Sequence, residues 1–225
     1  MNVYRLLHSM MRFEYHPPNC KCEDDPMFWF EDGVRGGFMV LKDLDLNNLR
    51  ECGAELLMFI NNYKECTHLQ IKHSNLLEFF WMQNRFPNNL TVVIMNSNNI
   101  TNLDNLVNCL YGTMVTHLCL NGNEIVDASQ LVKLTQIRKL ELDNNKIVKI
   151  DCFKRALRML RYEYLSIRWN PLEKESLARM LMEYGYSNNT RLLLWNNTLV
   201  DEFVNKPKKR DGNKRVRARR LCLKL

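Results

Sequence analysis

The chain has no run approaching the roughly 18 uninterrupted apolar residues of a membrane helix, so no membrane span is expected. The opening segment, MNVYRLLHSMMRFEYHPPN, carries Arg5 and His8 within its only apolar stretch. It offers neither a signal-peptide core nor a small-residue cleavage site. Core-forming residues are not lacking: 46% of the 225 residues are apolar, which excludes wholesale disorder and suits one domain, or one domain with a tail. Acid is scarce only at one end. From Lys206 to Leu225 there are ten basic residues and one acid, so this tail carries +9 while the remaining 205 residues carry −2.

The eight cysteines, at 20, 22, 52, 66, 109, 119, 152 and 222, are not crowded into loops as a disulfide framework would be. Several occupy apolar-periodic positions, where free Cys acts as a small hydrophobe. A reducing compartment is expected.

One eight-residue pattern recurs. Leu118-x-Leu120-x-x-Asn123-x-Ile125 is preceded by Val115, and the next copy is Ile137-x-x-Leu140-x-Leu142-x-x-Asn145-x-Ile147. Upstream stands Leu90-x-x-Val93-x-Met95-x-x-Asn98-x-Ile100. Downstream follow Leu165-x-Ile167-x-x-Asn170-x-Leu172 and Leu192-x-Leu194-x-x-Asn197-x-Leu199. A further copy, Leu69-x-Ile71-x-x-Ser74-x-Leu76, has Ser in place of Asn, and Leu41-x-x-Leu44-x-Leu46 reads as a degenerate first copy. The steps between cores are 24, 25, 22, 25 and 27 residues, the signature of a repeat architecture. Alternating apolar residues place one face of a short strand in a core. The Asn is suited to bond backbone groups left unpaired by the following turn, giving a stacked polar ladder.

This pattern resembles the leucine-rich repeat superfamily over residues 41 to 200, with mixed repeat lengths similar to the irregular intracellular type. The resemblance implies an α/β leucine-rich repeat solenoid, with a curved parallel sheet on the concave side and helices and turns on the convex side. Helical spacing falls at Glu55 to Tyr63, at Cys152 to Tyr162, and at Ser176 to Tyr184, where Gly185 is placed as a cap. The 22-residue step after Leu118 leaves room only for a short turn. The expected organisation is an N-terminal cap over 1–40, containing Phe28, Trp29, Phe30 and Phe38, then about six to seven repeats over 41–204, with Leu199 to Val204 closing the end, and a basic disordered tail over 205–225.

In such proteins the resemblance places binding on the concave residues around each core pair. One column is Asp43, His68, Val92, His117, Lys139, Tyr164 and Arg191; a second is Asp45, Gln70, Ile94, Cys119, Glu141, Ser166 and Leu193; a third is Asn47, Lys72, Asn96, Asn121, Asp143, Arg168 and Trp195. The last two repeats gather Tyr164, Arg168, Arg191, Leu193 and Trp195, joined at the rim by Trp169, and Tyr, Trp and Arg dominate binding hot spots. The competing reading is mutual packing of these aromatics, or packing under the tail. Val92 and Ile94 form a second apolar spot.

His117, Cys119 and Glu141 fall on neighbouring positions of one face, as a thiol, a base and an orienting carboxylate would. An open concave sheet offers no water-excluding pocket or oxyanion hole, so no catalytic residue is assigned and the protein is not expected to be an enzyme. His68 and His117 lie two strands apart, about 9–10 Å, too far to share a metal; no metal or other cofactor is expected. Cys20-Lys21-Cys22 and sequons at Asn89, Asn99, Asn188 and Asn196 fit a secreted recognition protein, but the other paired cysteines of such N-terminal caps are missing.

The tail holds two basic clusters, Lys206, Lys208, Lys209 and Arg210, then Lys214, Arg215, Arg217, Arg219 and Arg220. They resemble a nuclear-localisation signal and would also contact phosphates, as RNA or DNA, without aromatics for base stacking. The leading expectation is therefore a nuclear or cytoplasmic adaptor or scaffold, similar to small phosphatase-regulator and spliceosomal A-prime types, holding a protein partner on its concave face. The first alternative is an RNA-associated nuclear factor of the mRNA-export or splicing kind, using the tail with Lys72, Lys139, Arg168 and Arg191. The second is a secreted recognition protein.

Overall fold

The computed structural model describes residues 12–16, 37–42, 60, 64–72, 74, 86–159, 161–184 and 191–194. Within them, eight strands make one sheet in chain order: β1 (Arg12–His16), β2 (Gly37–Lys42), β3 (Cys66–Lys72), β4 (Val92–Ile94), β5 (His117–Cys119), β6 (Lys139–Glu141), β7 (Tyr164–Ser166) and β8 (Arg191–Leu193). From β2 to β8 every pair is parallel, and β1 joins β2 antiparallel. Each parallel pair needs a crossover, which is what a step of some 25 residues supplies.

The leucine pattern sets the register. Leu69, Val93, Leu118, Leu140, Leu165 and Leu192 pair strand to strand. With their partners two residues on, Ile71, Met95, Leu120, Leu142, Ile167 and Leu194, they are at most 4% exposed. Burial of each such side chain stabilises by roughly 1.5–3 kcal/mol, so a slip of one residue would turn the whole set outward.

The expected asparagine ladder is present. Asn98, Asn123, Asn145 and Asn170 are buried, and each oxygen accepts backbone N–H groups of the preceding repeat: Asn98 Oδ1 from Ser74 (2.9 Å), Asn123 Oδ1 from Asn98 (2.9 Å) and Ile100 (3.1 Å), Asn145 Oδ1 from Ile125 (3.1 Å), Asn170 Oδ1 from Ile147 (3.0 Å). Each amide nitrogen donates to a carbonyl of that same preceding repeat: Ile71, Met95, Leu120 and Leu142 in turn, at 2.8–3.0 Å. An amide offers an acceptor oxygen and two N–H donors at once, where a hydroxyl has a single donor and an ionised carboxylate none.

The crossovers differ in kind. Between β4 and β5 lies α1 (Asp104–Leu110), which buries Leu106, Val107 and Leu110, with Leu103 buried just ahead of it. The short step between β5 and β6 holds only a 3₁₀ turn at Ser129–Lys133. A 3₁₀ turn at Asp151–Phe153 runs into α2 (Lys154–Arg158), and α3 (Lys174–Tyr184) precedes β8. Helix α2 ends before the expected Tyr162, which packs edge-on against Phe153 at 6.0 Å with the Arg161 guanidinium over its ring. Arg179 of α3 pairs with Asp151, and Ser176 Oγ accepts the Ile150 N–H at 2.7 Å, tying the last helix to the preceding turn.

One expectation is corrected at the N-terminal end. Buried Met39 pairs with Leu69 and Leu41 with Ile71, so the first parallel strand is in register with the repeat at Met39 and Leu41, not at Leu44 and Leu46. The boundary drawn at residue 41 falls inside this strand, and Phe38, Val40 and Lys42 open the concave columns in place of Asp43, Asp45 and Asn47. The leucine template missed it because the strand reads Gly-Phe-Met-Val-Leu-Lys, apolar but with few leucines. The helix expected over 55–63, apart from the helical Ile60, lies outside the described residues, as do Gly185, the aromatics 28–30 and the closing segment 199–204. No helix among the described residues is long and apolar enough to cross a membrane.

Candidate functional site

The sheet register aligns the columns read from the sequence: His68, Val92, His117, Lys139, Tyr164 and Arg191 in one row, Gln70, Ile94, Cys119, Glu141, Ser166 and Leu193 in the next. Much of this face is buried. His68, Gln70, Val92, Ile94, His117, Cys119, Ser166 and Leu193 are each less than a tenth exposed, whereas Lys139, Glu141 and Tyr164 are half-buried. Val92, Ile94 and Cys119 pack together as an apolar cluster of their own. Gln70 Oε1 is buried without a hydrogen-bond partner among the described residues, an acceptor that an incoming N–H would satisfy.

The third column is a second ladder. Asn96 Oδ1 accepts the Asn121 N–H, Asn121 Oδ1 the Asp143 N–H, and Asp143 Oδ1 the Arg168 N–H, at 2.7–2.8 Å. Asp143 also accepts from Ser166 Oγ and from Arg168 Nε, both at 2.6 Å. Burial disfavours the Arg168 charge, but Asp143 more than offsets this and holds its pKa above the ordinary value. Arg168 is thus committed to its own scaffold. Asn or Asp three residues after Val93, Leu118 and Leu140 is the sequence signal for this ladder, which Arg168 ends.

Immediately after the ladder the chain takes a left-handed turn in four described repeats, at Ser97 (φ 57°), Gly122 (φ 67°), Asn144 (φ 52°) and Trp169 (φ 58°). Ser97, Gly122 and Asn144 each donate their N–H to a carbonyl of the next repeat, at 2.8–2.9 Å. Gly and Asn suit this region; an indole does not. Trp169 is nevertheless there, 52% exposed, directly after Arg168 in the chain. Burial and the nearby Glu141 carboxylate push the Tyr164 phenol above its usual pKa.

At the centre of the face, His117 Nε2 lies 3.3 Å from Glu141 Oε1 and 3.3 Å from Cys119 Sγ. Glu141 Oε2 accepts from Asn121 Nδ2 at 2.8 Å. Burial raises the Glu141 pKa, but the hydrogen bonds of His117 and Asn121 outweigh it and leave the carboxyl below its ordinary value. The Cys119 thiol is pushed well above its ordinary value by burial first and by Glu141 second.

No family model matches the chain and no curated protein does. Among solved structures it is similar to an internalin (inlF) from Listeria monocytogenes, with 18% identity, 60% of this chain and 49% of that one covered, and a TM-score of 0.39. It is also similar to internalin C2 (inlC2) of the same organism, with 16% identity, 69% of this chain and 79% of that one covered, and a TM-score of 0.42. The chain spans about half the length of the inlF structure. The register and the asparagine ladder decide the architecture. It is a leucine-rich repeat solenoid.

Of the residues expected to bind a partner, the solenoid brings Tyr164 and Arg191 into register, and Ser166 with Leu193. Tyr164 and Trp169 are accessible, Leu193 is buried, and Arg168 is held by Asp143. Trp195 lies outside the described residues, as do the tail positions Lys206 to Arg220, Cys20 and Cys22, and the sequons at Asn188 and Asn196. Of the other two sequons, Asn99 is exposed while the Asn89 amide donates to the Cys66 carbonyl.

Proposed function

We propose that this chain is a non-catalytic protein-binding module, an adaptor or scaffold that takes a partner across the C-terminal half of its concave face, with the basic tail serving nuclear targeting or phosphate contact. The observation that carries this reading is Trp169: a large aromatic kept exposed, in a backbone conformation that disfavours it, at the one turn where the other described repeats place Ser, Gly and Asn. A disfavoured backbone conformation retained at an exposed aromatic supports use of that side chain in binding. Two further observations favour this reading over its rivals. A nucleophilic Cys needs a lowered pKa, and Cys119 has the opposite. Arg168, one of the cations an RNA-binding surface would use, is neutralised by Asp143.

The test is affinity purification of the full chain from its native extract with nuclease treatment. It compares wild type, Tyr164→Ala/Trp169→Gly, and a chain whose tail Lys and Arg residues are replaced by Gln. A protein partner that survives nuclease and tail neutralisation but is lost in the double variant supports the adaptor reading. Recovery that collapses with nuclease or with the neutral tail, and is indifferent to the double variant, overturns it in favour of an RNA-associated factor.

A further inference from the structure

We infer that His117, Cys119 and Glu141 form a binding site for one divalent transition-metal ion of the zinc class, built across strands β5 and β6. His117 and Cys119 stand two residues apart on β5, so both side chains leave the same face, and Glu141 is the register partner of Cys119 on β6. Their three ligand atoms, Nε2, Sγ and a carboxylate oxygen, all lie within 4.8 Å of one another. Ligand atoms around a tetrahedral zinc stand about 3.3–3.6 Å apart, given bond lengths of about 2.0–2.3 Å. The observed Nε2–Sγ and Nε2–Oε1 separations are both 3.3 Å, so only the thiol-to-carboxylate distance remains to close, by rotation of side chains and not of backbone.

The surroundings are those of a metal site. Asn121 Nδ2 holds the second carboxylate oxygen at 2.8 Å, the supporting hydrogen bond that orients a ligating carboxylate. Val92 and Ile94 pack on Cys119 and exclude water from one side. The Glu141 side chain keeps 18% of its surface exposed, which leaves an entry path and a fourth position for water or a partner's donor atom. Both His117 Nε2 and the Cys119 thiol turn toward the Glu141 carboxylate, so the three ligand atoms converge on one point. A metal at that point replaces the thiol proton, which passes to solvent, and takes the Nε2 lone pair while the ring keeps its proton on Nδ1. Cys, His and carboxylate in this combination suit zinc, and cobalt as its spectroscopic stand-in.

The experiment titrates Co²⁺, then Zn²⁺, into the full chain after chelation, in a background where Cys20 and Cys22 are replaced by Ser. One equivalent of Co²⁺ should give thiolate-to-cobalt charge-transfer absorption in the near ultraviolet and d–d bands of tetrahedral intensity, both displaced by Zn²⁺. Cys119→Ser should abolish the charge-transfer band. Glu141→Gln, which keeps the side-chain shape and Oε1 but loses the ligand charge, should weaken affinity by at least the roughly 10-fold that loss of a mere supporting partner costs. Thermal melts give the second readout: Zn²⁺ should raise the Tm of the parent chain and leave that of Cys119→Ser unchanged. A parent chain without the charge-transfer band, or one whose band persists in Cys119→Ser, overturns the assignment. So does an affinity in Glu141→Gln equal to that of the parent.

Discussion

Arg168 donates to both oxygens of Asp143, through its backbone N–H to Oδ1 at 2.7 Å and through Nε to Oδ2 at 2.6 Å. One carboxylate therefore fixes both the main chain and the side chain of the next repeat. Asp143 is 6% exposed and has Ser166 Oγ as a further donor. Removing a buried charged acceptor leaves these donors unsatisfied, at about 1–3 kcal/mol or more. Asp143→Ala should lower the Tm by more than Arg168→Ala, because it strands both the Arg168 N–H and the Ser166 Oγ, whereas Arg168→Ala leaves Asp143 with both of those bonds. Thermal melts of the two variants decide the order.

The inner ladder should be less forgiving still. Asn123→Ala would strip partners from the Asn98 and Ile100 N–H groups and from the Met95 carbonyl, while the Leu120 carbonyl keeps its bond from Asn145. At about 1–3 kcal/mol for each orphaned group, the loss should reach roughly 3 kcal/mol or more. Hydrogen exchange should show lost protection at Asn98 and Ile100 well before the α3 amides, since solenoid repeats couple chiefly to neighbours.

These two ladders show how far the sequence could be read. The inner one was legible because a buried amide recurs at a fixed offset from leucines, and so were the parallel order of the strands and the short turn after β5. Helix α1 was not marked, although Leu103, Leu106, Val107 and Leu110 carry its spacing, because seven residues make a weak periodic signal. The first parallel strand, β2, falls earlier than the template places it, since Leu44 and Leu46 match the leucine pattern better than Met39 and Leu41 do. Concave columns were assigned in correct register from β3 onward, but which of their side chains would be spoken for was not. That Arg168 is paired and Leu193 buried depends on contacts across the sheet, which no single strand encodes.

Alkaline pH should destabilise the protein through its buried thiols. Cys66 is raised from 9.0 to about 11 and Cys109 and Cys152 to about 12, in each case chiefly by burial. With folded values above unfolded ones, the contribution is complete below about pH 9 and is lost as pH rises toward 11–12. Denaturant midpoints should fall across that window. At neutral pH these cysteines should resist alkylation in the folded chain and react on unfolding.

The left-handed turns separate backbone cost from use. A Cβ on Gly122 would meet Ser97 Oγ at 2.9 Å, and φ is +67°. Gly122→Ala should therefore destabilise by about 1–2 kcal/mol. Trp169→Gly should leave the Tm within a few degrees of wild type, because relief of a strain of about 1–2 kcal/mol offsets the lost contacts of a half-exposed ring. A large fall in Tm would mark Trp169 as a packing residue.

The central claim is that the Tyr164 and Trp169 end of the solenoid receives a protein. The most direct measurement places a photo-crosslinking amino acid at 169, and in a control chain at the exposed Tyr111 beyond α1, then irradiates the native extract and treats it with nuclease. A discrete, nuclease-resistant protein adduct is expected from position 169 and none from 111. Adducts from 111 alone, or adducts from 169 that nuclease removes, would contradict it.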